Sequence, residues 1–150
     1  EHWLVDPKEI LLLPGRVLGT GGFGVVVMAS IRGTIVAAKL PREAASVRRI
    51  KTFASVINEL RVHRYIRHSN LVLFYGACID PVSNNIALLY ELVRGQRLDT
   101  YVQEQIDPED GLIRTKLLLD IASALRYLHS LRPCIVHGDI KTSNILVESL

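Results

Sequence analysis

The sequence, 150 residues long, is poor in the features that mark membrane-spanning and disulfide-rich proteins. No apolar run reaches the ~18 residues that a membrane-spanning helix needs. The only two cysteines, Cys78 and Cys134, lie far apart and form no Cys-x-x-Cys pair. We expect both to be buried, reduced thiols of a cytoplasmic protein, or of the cytoplasmic part of a larger one, with a disulfide as the alternative. The sequence starts at Glu1–His2–Trp3 without an initiator Met, a basic segment or an apolar signal sequence, so no signal peptide is visible and we expect a piece of a longer protein.

Aromatic residues are also scarce, at 6% of the chain, and the net charge is only +3. Basic residues cluster in the first half, but no aromatic residues alternate with them, so we interpret them as solvated helix faces. A basic RNA-binding domain remains a remote alternative, which salt-dependent RNA affinity would support. The cluster comprises Arg42, Arg48, Arg49, Lys51, Arg61, Arg64 and Arg67.

What the chain does contain is the composition of one globular domain, with 49% hydrophobic and 22% charged residues. Apolar alternation predicts a sheet-rich first part, and apolar residues at helical spacing predict a helical second part, with the boundary near Val93–Gly95. The predicted fold class is therefore α+β, with a small antiparallel sheet and one helix in the first lobe and the beginning of a helical second lobe. We place the first lobe at about 1–92 and the second at about 93–150.

The predicted elements follow from turn residues and periodicity. Residues 1–15 are predicted to be a lead-in, and Arg32–Gly33 and Asp80–Asn85 are predicted to be hairpin turns. The strands are predicted over Arg16–Leu18, Val25–Ser30, Thr34–Lys39, Leu71–Ile79 and Ile86–Leu92. The helices are predicted over 43–67, Gln96–Gln105 and Leu112–Ser130, the last from an apolar stripe of Ile113, Leu117, Ile121, Leu125 and Leu128.

A glycine-rich segment, Gly19–Thr20–Gly21–Gly22–Phe23–Gly24, fits the pattern Gly-x-Gly-x-x-Gly. The β-branched run Val25–Val27 follows, which indicates a glycine-rich β-hairpin and disfavours the helix of a Rossmann unit. The absence of a Gly-Lys-Ser/Thr element disfavours a P-loop. Such a hairpin can bring backbone N–H groups close to phosphates, although an ordinary glycine hairpin has the same pattern.

Lys39 ends the strand before Pro41, and its ammonium could pair with the phosphates of a nucleotide. A partner carboxylate is then needed from the next helix. Glu59, 20 residues further on within the amphipathic run Phe53–Leu60, is the best candidate. Glu43 is a poorer one because it lies close to Pro41. The alternatives are a surface lysine and a solvent-facing helical glutamate.

The polar stretch from His137 to Asn144 lies between a helical run and the apolar residues Ile145–Val147, a common place for catalytic groups. Its spacing resembles the catalytic loop of protein kinases, and this resemblance implies that Asp139 accepts or orients a hydroxyl proton, Lys141 offsets phosphoryl charge and Asn144 holds Mg²⁺. We expect His137 to be a hydrogen-bonded core histidine and not a base. A polar turn with an Asx cap is the alternative for the loop taken alone.

Four features follow one another along the chain: the glycine-rich hairpin, Lys39, Glu59 and the polar loop. Together they resemble the eukaryotic protein kinases over roughly Val17–Val147. The loop is similar to the His-Arg-Asp catalytic loop, with Gly138 in place of the usual Arg. With Lys141 two residues after Asp139, the loop resembles that of the Ser/Thr kinases. Trp3, Asn70–Val72 and Gly76–Cys78 resemble the tyrosine-kinase-like group of Ser/Thr kinases.

The resemblance implies ATP and Mg²⁺ as cofactors, a protein substrate, and phosphoryl transfer to Ser/Thr hydroxyls. It implies catalytic roles for Lys39, Glu59, Asp139, Lys141 and Asn144, with Asn144 as a metal ligand. Tyr90 is placed at the gatekeeper position, where its bulk should close the pocket behind adenine. The implied nucleotide-binding residues are Leu18, Gly19, Thr20, Gly21, Gly22, Phe23, Gly24, Val26, Ala37, Lys39, Tyr90, Glu91, Val93 and Leu146.

The 150 residues contain no Asp-Phe-Gly after the catalytic loop, the motif whose Asp is a principal Mg²⁺ ligand in kinases. The helices on which the apolar stripe of Leu112–Ser130 would pack in a kinase are also missing, so we expect several of its Leu and Ile side chains to be in water, at about 1.5–3 kcal/mol each. We therefore expect the isolated chain to be marginally folded in its second half and inactive, and the parent protein to be active. A non-catalytic pseudokinase or scaffold module is the alternative.

Overall fold

A five-stranded antiparallel sheet forms the first part of the protein, in the order β1-β2-β3-β5-β4. The computed structural model describes residues 3–21, 24–41, 57–79, 86–104 and 111–148. The strands are β1 (Ile10–Gly21), β2 (Gly24–Ile31), β3 (Thr34–Pro41), β4 (Phe74–Ile79) and β5 (Ile86–Glu91). The predicted β-rich segments are thus confirmed, and the hairpin residues 80–85 lie outside the described residues.

Strands β2 and β3 are joined by the turn predicted at Arg32–Gly33. Both residues have positive φ, 48° and 84°, as a two-residue type I′ hairpin requires. The ladder runs from Ile31↔Thr34 to Gly24↔Pro41. This register fixes which side chains of β2 and β3 share a face.

Two strands begin three or more residues away from their predicted first residue. Strand β1 begins at Ile10, inside the predicted lead-in, and its register shifts between Leu13 and Val17. An irregular ladder accommodates Pro14, which cannot donate a ladder hydrogen bond. Strand β4 begins at Phe74 and not at Leu71.

The sheet carries a hydrophobic cluster on each face, which agrees with the alternation of side chains along a strand. One cluster contains Val27, Ala29, Val36, Ala38 and Leu89. The other contains Leu60, Phe74, Ala77, Ile86 and Leu88. Leu60 comes from helix α1 (57–63), so α1 packs on the second face.

Helix α1 ends at residue 63 and not at 67, and residues 43–56 of the predicted helix lie outside the described residues. The chain tightens there, since the amides of Tyr65 and Ile66 donate to Val62 and His63 three residues back. The predicted helix at Gln96 begins two residues later as α2 (Leu98–Glu104), because Gly95–Arg97 forms strand β6. Strand β6 pairs with β7 (Leu146–Glu148). Asp107–Pro108, whose residue types suit the N-cap and first turn of the next helix, lies outside the described residues.

Helix α3 (Gly111–Ser130) confirms the long helix predicted from its apolar stripe. Leu128 is buried and the other four stripe residues are half-buried. The strongly exposed leucines lie beside the stripe, with Leu112 82%, Leu118 67% and Leu119 64% accessible. Helix α3 therefore does expose apolar side chains to water, as expected. They are Leu112, Leu118 and Leu119, however, and not the residues of the stripe.

The chain divides into two compact units. The first unit consists of Glu1–Ile66 and Leu73–Leu92, and the second of Arg67–Val72 and Val93–Leu150. Segment Arg67–Val72, which we expected in the first lobe, is held in the second unit because the Arg67 amide donates to the Tyr127 hydroxyl at 3.0 Å.

Both cysteines lie in the described part of the chain, and neither is in a disulfide there. Cys78 is buried as expected, whereas Cys134 is exposed, which contradicts the expectation that it is buried. Among the described helices, none has the length and apolar character needed to span a bilayer.

Candidate active site

An ion pair joins Lys39 on β3 to Glu59 on α1. The Lys39 Nζ lies 2.7 Å from Glu59 Oε1 and 2.9 Å from Oε2, so both carboxylate oxygens accept from the same ammonium. Both side chains are half-buried, at 29% and 24% exposure. The structure thus brings together the two residues that the sequence placed 20 positions apart.

The strand register explains why Lys39 points toward α1. Lys39 pairs with Val26 on β2 and with Leu88 on β5, while Ala37 pairs with Tyr90. Directly paired residues, and residues two apart on a strand, share a face of the sheet. Val26, Ala37, Lys39 and Tyr90 therefore lie on the face of Leu88, where α1 packs.

Tyr90 makes a contact that the sequence analysis missed. Its hydroxyl donates to Glu59 Oε1 at 2.7 Å. Burial, followed by the nearby Glu59 carboxylate, raises the pKa of Tyr90, so the phenol stays protonated and donates. The sequence does show that Tyr90 carries a hydroxyl group. Sequence periodicity, however, does not show which residue of the helix that hydroxyl contacts.

The glycine-rich segment lies at the hairpin between β1 and β2. Thr20 pairs with Val25 and Gly21 with Gly24, while Gly22 and Phe23 lie outside the described residues. A Cβ added at Gly19 or Gly21 would meet no atom within 4 Å. The backbone there borders open space, which fits the close approach of a phosphate, and nearby Leu18 is 46% exposed.

Glu91, one of the nucleotide-binding residues that the resemblance implies, is bonded at both its amide and its side chain to the segment before β4. Its amide donates to the Leu73 carbonyl at 2.9 Å, and its carboxylate accepts from the Leu73 amide at 2.7 Å. The Glu91 N–H is therefore already used within the first unit.

In the second unit, Asp139 is held by neighbours in its own loop. Lys141 Nζ donates to Asp139 Oδ2 at 2.9 Å. Asn144 Nδ2 donates at 2.8 Å both to the Asp139 carbonyl and to Oδ2. The 3-10 turn Thr142–Asn144 brings Asn144 back toward Asp139.

The electrostatics of this loop favour an ionised Asp139. The hydrogen bond from Lys141, and then that from Asn144, lowers the pKa of Asp139 below its usual value. Both bonds go to Oδ2, and within the described residues Oδ1 accepts no hydrogen bond. Asp139 therefore presents an oxygen that can accept a proton from a hydroxyl group.

His137 differs from the prediction, since it is exposed and is not a core residue. It is hydrogen-bonded, because its Nδ1 accepts from the Asp139 amide at 3.4 Å. Gly138 between them has φ of +75°, a left-handed conformation that residues with a Cβ seldom adopt.

The structure therefore forms two groups, Lys39–Glu59–Tyr90 in the first unit and Asp139–Lys141–Asn144 in the second. Leu146, half exposed on β7, belongs to the second unit. Within the part of the chain that the structure describes, no three His, Cys, Asp or Glu side chains form a metal-binding group. Asn144 Oδ1 is the candidate ligand for a cation, because Nδ2 makes both bonds to Asp139.

Comparison with known proteins agrees with this geometry. The family model described as the protein kinase domain matches residues 13–150. The probable serine/threonine-protein kinase drkD of Dictyostelium discoideum is 38% identical over 147 residues, which cover 98% of this chain and 11% of the relative. The Arabidopsis thaliana protein named leaf rust 10 disease-resistance locus receptor-like protein kinase-like 1.1 is 35% identical over 138 residues, 89% of this chain and 21% of the relative.

The chain thus spans only a small part of these two relatives, which are named as protein kinases. The model match covers most of its length and includes both groups of side chains described above. With its antiparallel sheet, the helix that carries Glu59 and the loop that carries Asp139, this chain belongs to the protein kinase family and has the α+β fold of that family.

Proposed function

We propose that the protein transfers the γ-phosphoryl group of ATP to Ser or Thr hydroxyls of protein substrates. The observation that carries the proposal is the half-buried Lys39–Glu59 pair, formed on the sheet face that also presents Val26 and Ala37. A carboxylate that contacts an ammonium through both oxygens fixes the ammonium in one orientation, as the binding of phosphate oxygens requires.

Each group has a chemical task in this proposal. The Lys39 ammonium binds the α- and β-phosphates, while backbone amides at Gly19 and Gly21 approach the phosphates from the hairpin. Asp139 orients the substrate hydroxyl through its open Oδ1, and Lys141 offsets charge on the transferring group. Mg²⁺, when bound, neutralises phosphate charge, and Asn144 Oδ1 would hold it.

The tyrosine-kinase-like group is the proposed subfamily, and two of the three segments that resemble it, Trp3 and Gly76–Cys78, meet in the first unit, whereas Asn70–Val72 belongs to the second. The Ala77 amide donates to the Trp3 carbonyl at 2.8 Å, and the Val5 amide donates to Ala77 at 2.9 Å. A Cβ at Gly76 would collide with the Trp3 carbonyl. The contact therefore needs glycine at 76, which supports treating Trp3 and Gly76–Cys78 as one feature.

A second candidate function is that of a pseudokinase that binds nucleotide without transfer. The observation in its favour is that the described residues provide no carboxylate cluster for a metal. Residues after Leu150 bear on this directly, because an Asp-Phe-Gly there would supply the metal-binding Asp. In both cases ATP and a protein are the partners, no nucleic acid is involved, and we propose a cytoplasmic location.

The test uses the full-length protein with Mg²⁺ and γ-³²P-ATP, with myelin basic protein as acceptor. We expect labelled phosphoserine or phosphothreonine, lost in Asp139→Asn. Binding of ATP by calorimetry without transfer would favour the pseudokinase. Label on tyrosine alone would contradict the Ser/Thr assignment.

The isolated 150-residue chain, in contrast, is expected to be inactive. Support comes from the exposed leucines on α3, which leave apolar surface in water. Transfer by purified 1–150 that is lost in Asp139→Ala would contradict this expectation.

A further inference from the structure

Tyr90 and Lys39 share one acceptor. Glu59 Oε1 accepts from Lys39 Nζ and from the Tyr90 hydroxyl, each at 2.7 Å, and Oε2 accepts from Lys39 at 2.9 Å. A carboxylate has enough lone pairs for all three bonds, so the two donors do not compete. Removing either donor leaves the other bond possible but less constrained.

The strands that carry the two donors are held side by side in the sheet. Tyr90 on β5 pairs directly with Ala37 on β3, two residues from Lys39. Glu59, in contrast, comes from α1, a separate element that packs on the sheet. The orientation of its carboxylate therefore depends on how α1 packs, and the Tyr90 hydroxyl, on a rigid ring, gives it a contact to the sheet beside the one from Lys39.

The ring of Tyr90 is itself held in place by aromatic neighbours. The Phe74 ring lies 5.6 Å away edge-on, and the His63 ring lies 5.3 Å away edge-on. His63 is on α1, one turn after Glu59. Tyr90 thus contacts α1 at two points one turn apart, which restrains rotation of the helix as well as the carboxylate.

We propose that Tyr90 is a positioning residue, whose hydroxyl holds the Glu59 carboxylate in the orientation that pairs with Lys39. The ion pair is then formed before nucleotide binds, and Tyr90 does more than limit the depth of the adenine pocket. This inference rests on the proposed kinase function for its consequence in catalysis. Its structural content, the restraint of α1 through Glu59, is independent of that function.

The test compares Tyr90→Phe with Tyr75→Phe in the full-length protein. Tyr90→Phe keeps the ring and its aromatic contacts and removes only the hydroxyl. Tyr75→Phe is the matched control, because Tyr75 lies on neighbouring β4 and is 43% exposed. Amide hydrogen exchange of residues 57–63 is measured without nucleotide, and kcat/KM for ATP is measured with myelin basic protein.

We expect exchange in 57–63 to become faster in Tyr90→Phe only, and kcat/KM to fall about tenfold, the size expected for one hydrogen bond to a charged group. Both effects should vanish in a Glu59→Ala background, where the hydroxyl has no carboxylate to hold. A purely structural tyrosine would affect both backgrounds equally.

Unchanged exchange in Tyr90→Phe would overturn the inference, and so would an equal effect with and without Glu59. If the wild-type protein transfers no phosphate, the proposed function fails, but the exchange comparison still decides the role of Tyr90. The two failures are therefore distinguishable.

Discussion

Glu59 and Asp139 each accept hydrogen bonds from a lysine and from an uncharged side chain, but the donors come from different places. Lys39 and Tyr90 lie 20 and 31 residues from Glu59 and reach it through the sheet. Lys141 and Asn144 lie two and five residues from Asp139, in the same loop. The first group is half-buried, whereas the Asp139 and Lys141 side chains are 57% and 54% exposed.

Because of this difference, we expect the two groups to contribute differently to the stability of the fold. A half-buried pair depends on the tertiary fold and contributes to it, because removing one partner leaves a poorly solvated charge. An exposed loop cluster contributes little to stability. In the proposed function, its conformation would instead present one carboxylate oxygen to a substrate. Substitutions in the two groups should therefore differ in kind as well as in size.

The largest expected effect comes from Asp139→Asn in the full-length protein. Phosphoryl transfer should fall by about 10²–10⁴, the usual contribution of a positioned general base. The free energy of unfolding should change by less than about 0.5 kcal/mol, as for surface substitutions. Steady-state kinetics and urea denaturation measure the two quantities.

Asp120→Asn is the control, since Asp120 is an α3 carboxylate paired with Lys116 at 2.9 Å outside both groups. It should leave transfer unchanged. An Asp139→Asn variant that keeps most of its activity would remove Asp139 from the reaction.

Lys39→Met and Lys141→Met test the contrast in stability directly. Lys39→Met should lower the free energy of unfolding by about 1–3 kcal/mol, because Glu59 stays half-buried without its charged partner. Lys141→Met should change it by less than about 0.5 kcal/mol, since water solvates Asp139. If urea denaturation gave equal losses of unfolding free energy in the two variants, the two groups would not differ in their contribution to stability.

Gly138→Ala tests the one backbone feature on which the Asp139 loop depends. With φ of +75° at this position, any Cβ should cost about 1–2 kcal/mol. Space is not the reason, because a Cβ there would meet no atom within 4 Å. Gly15→Ala is the control, with equally open space and no positive φ. A loss of equal size in both variants would show that conformation is not the cause.

Local features of this protein could be predicted from the sequence, whereas features that depend on packing could not. The type I′ turn at Arg32–Gly33 and the helix over Gly111–Ser130 follow from turn residues and periodicity, which are properties of short segments. Strand β1, which extends back to Ile10, has a register shift between Leu13 and Val17, around Pro14. Apolar periodicity does not indicate such a shift.

The candidate site divides in the same way. The sequence placed Lys39, Glu59, Asp139, Lys141 and Asn144 by motif, and the structure brings them into two groups. The Tyr90–Glu59 contact was missed because it depends on how α1 packs against β5. The exposure of His137 was missed for a related reason. A side chain at the start of a loop can face either the core or the solvent, and the sequence does not show which.

The smallest expected effect concerns the titration of Asp139. Lys141, and to a lesser extent Asn144, lowers the pKa of this carboxyl below the ordinary value of about 3.9. Because the folded-state pKa is lowered, any stabilisation from these bonds is present above the ordinary value and is lost as pH falls through the folded-state pKa. We expect Lys141→Met to raise the pKa of Asp139 more than Asn144→Ala does, as measured by the ¹³C shift of its carboxyl group. Asp99, whose pKa is lowered by Arg97, should stay unchanged in both variants and serves as the internal reference. A larger rise in Asn144→Ala would mean that the amide, and not the ammonium, keeps Asp139 ionised, and the loop would then resemble the first unit in holding its carboxylate mainly by geometry.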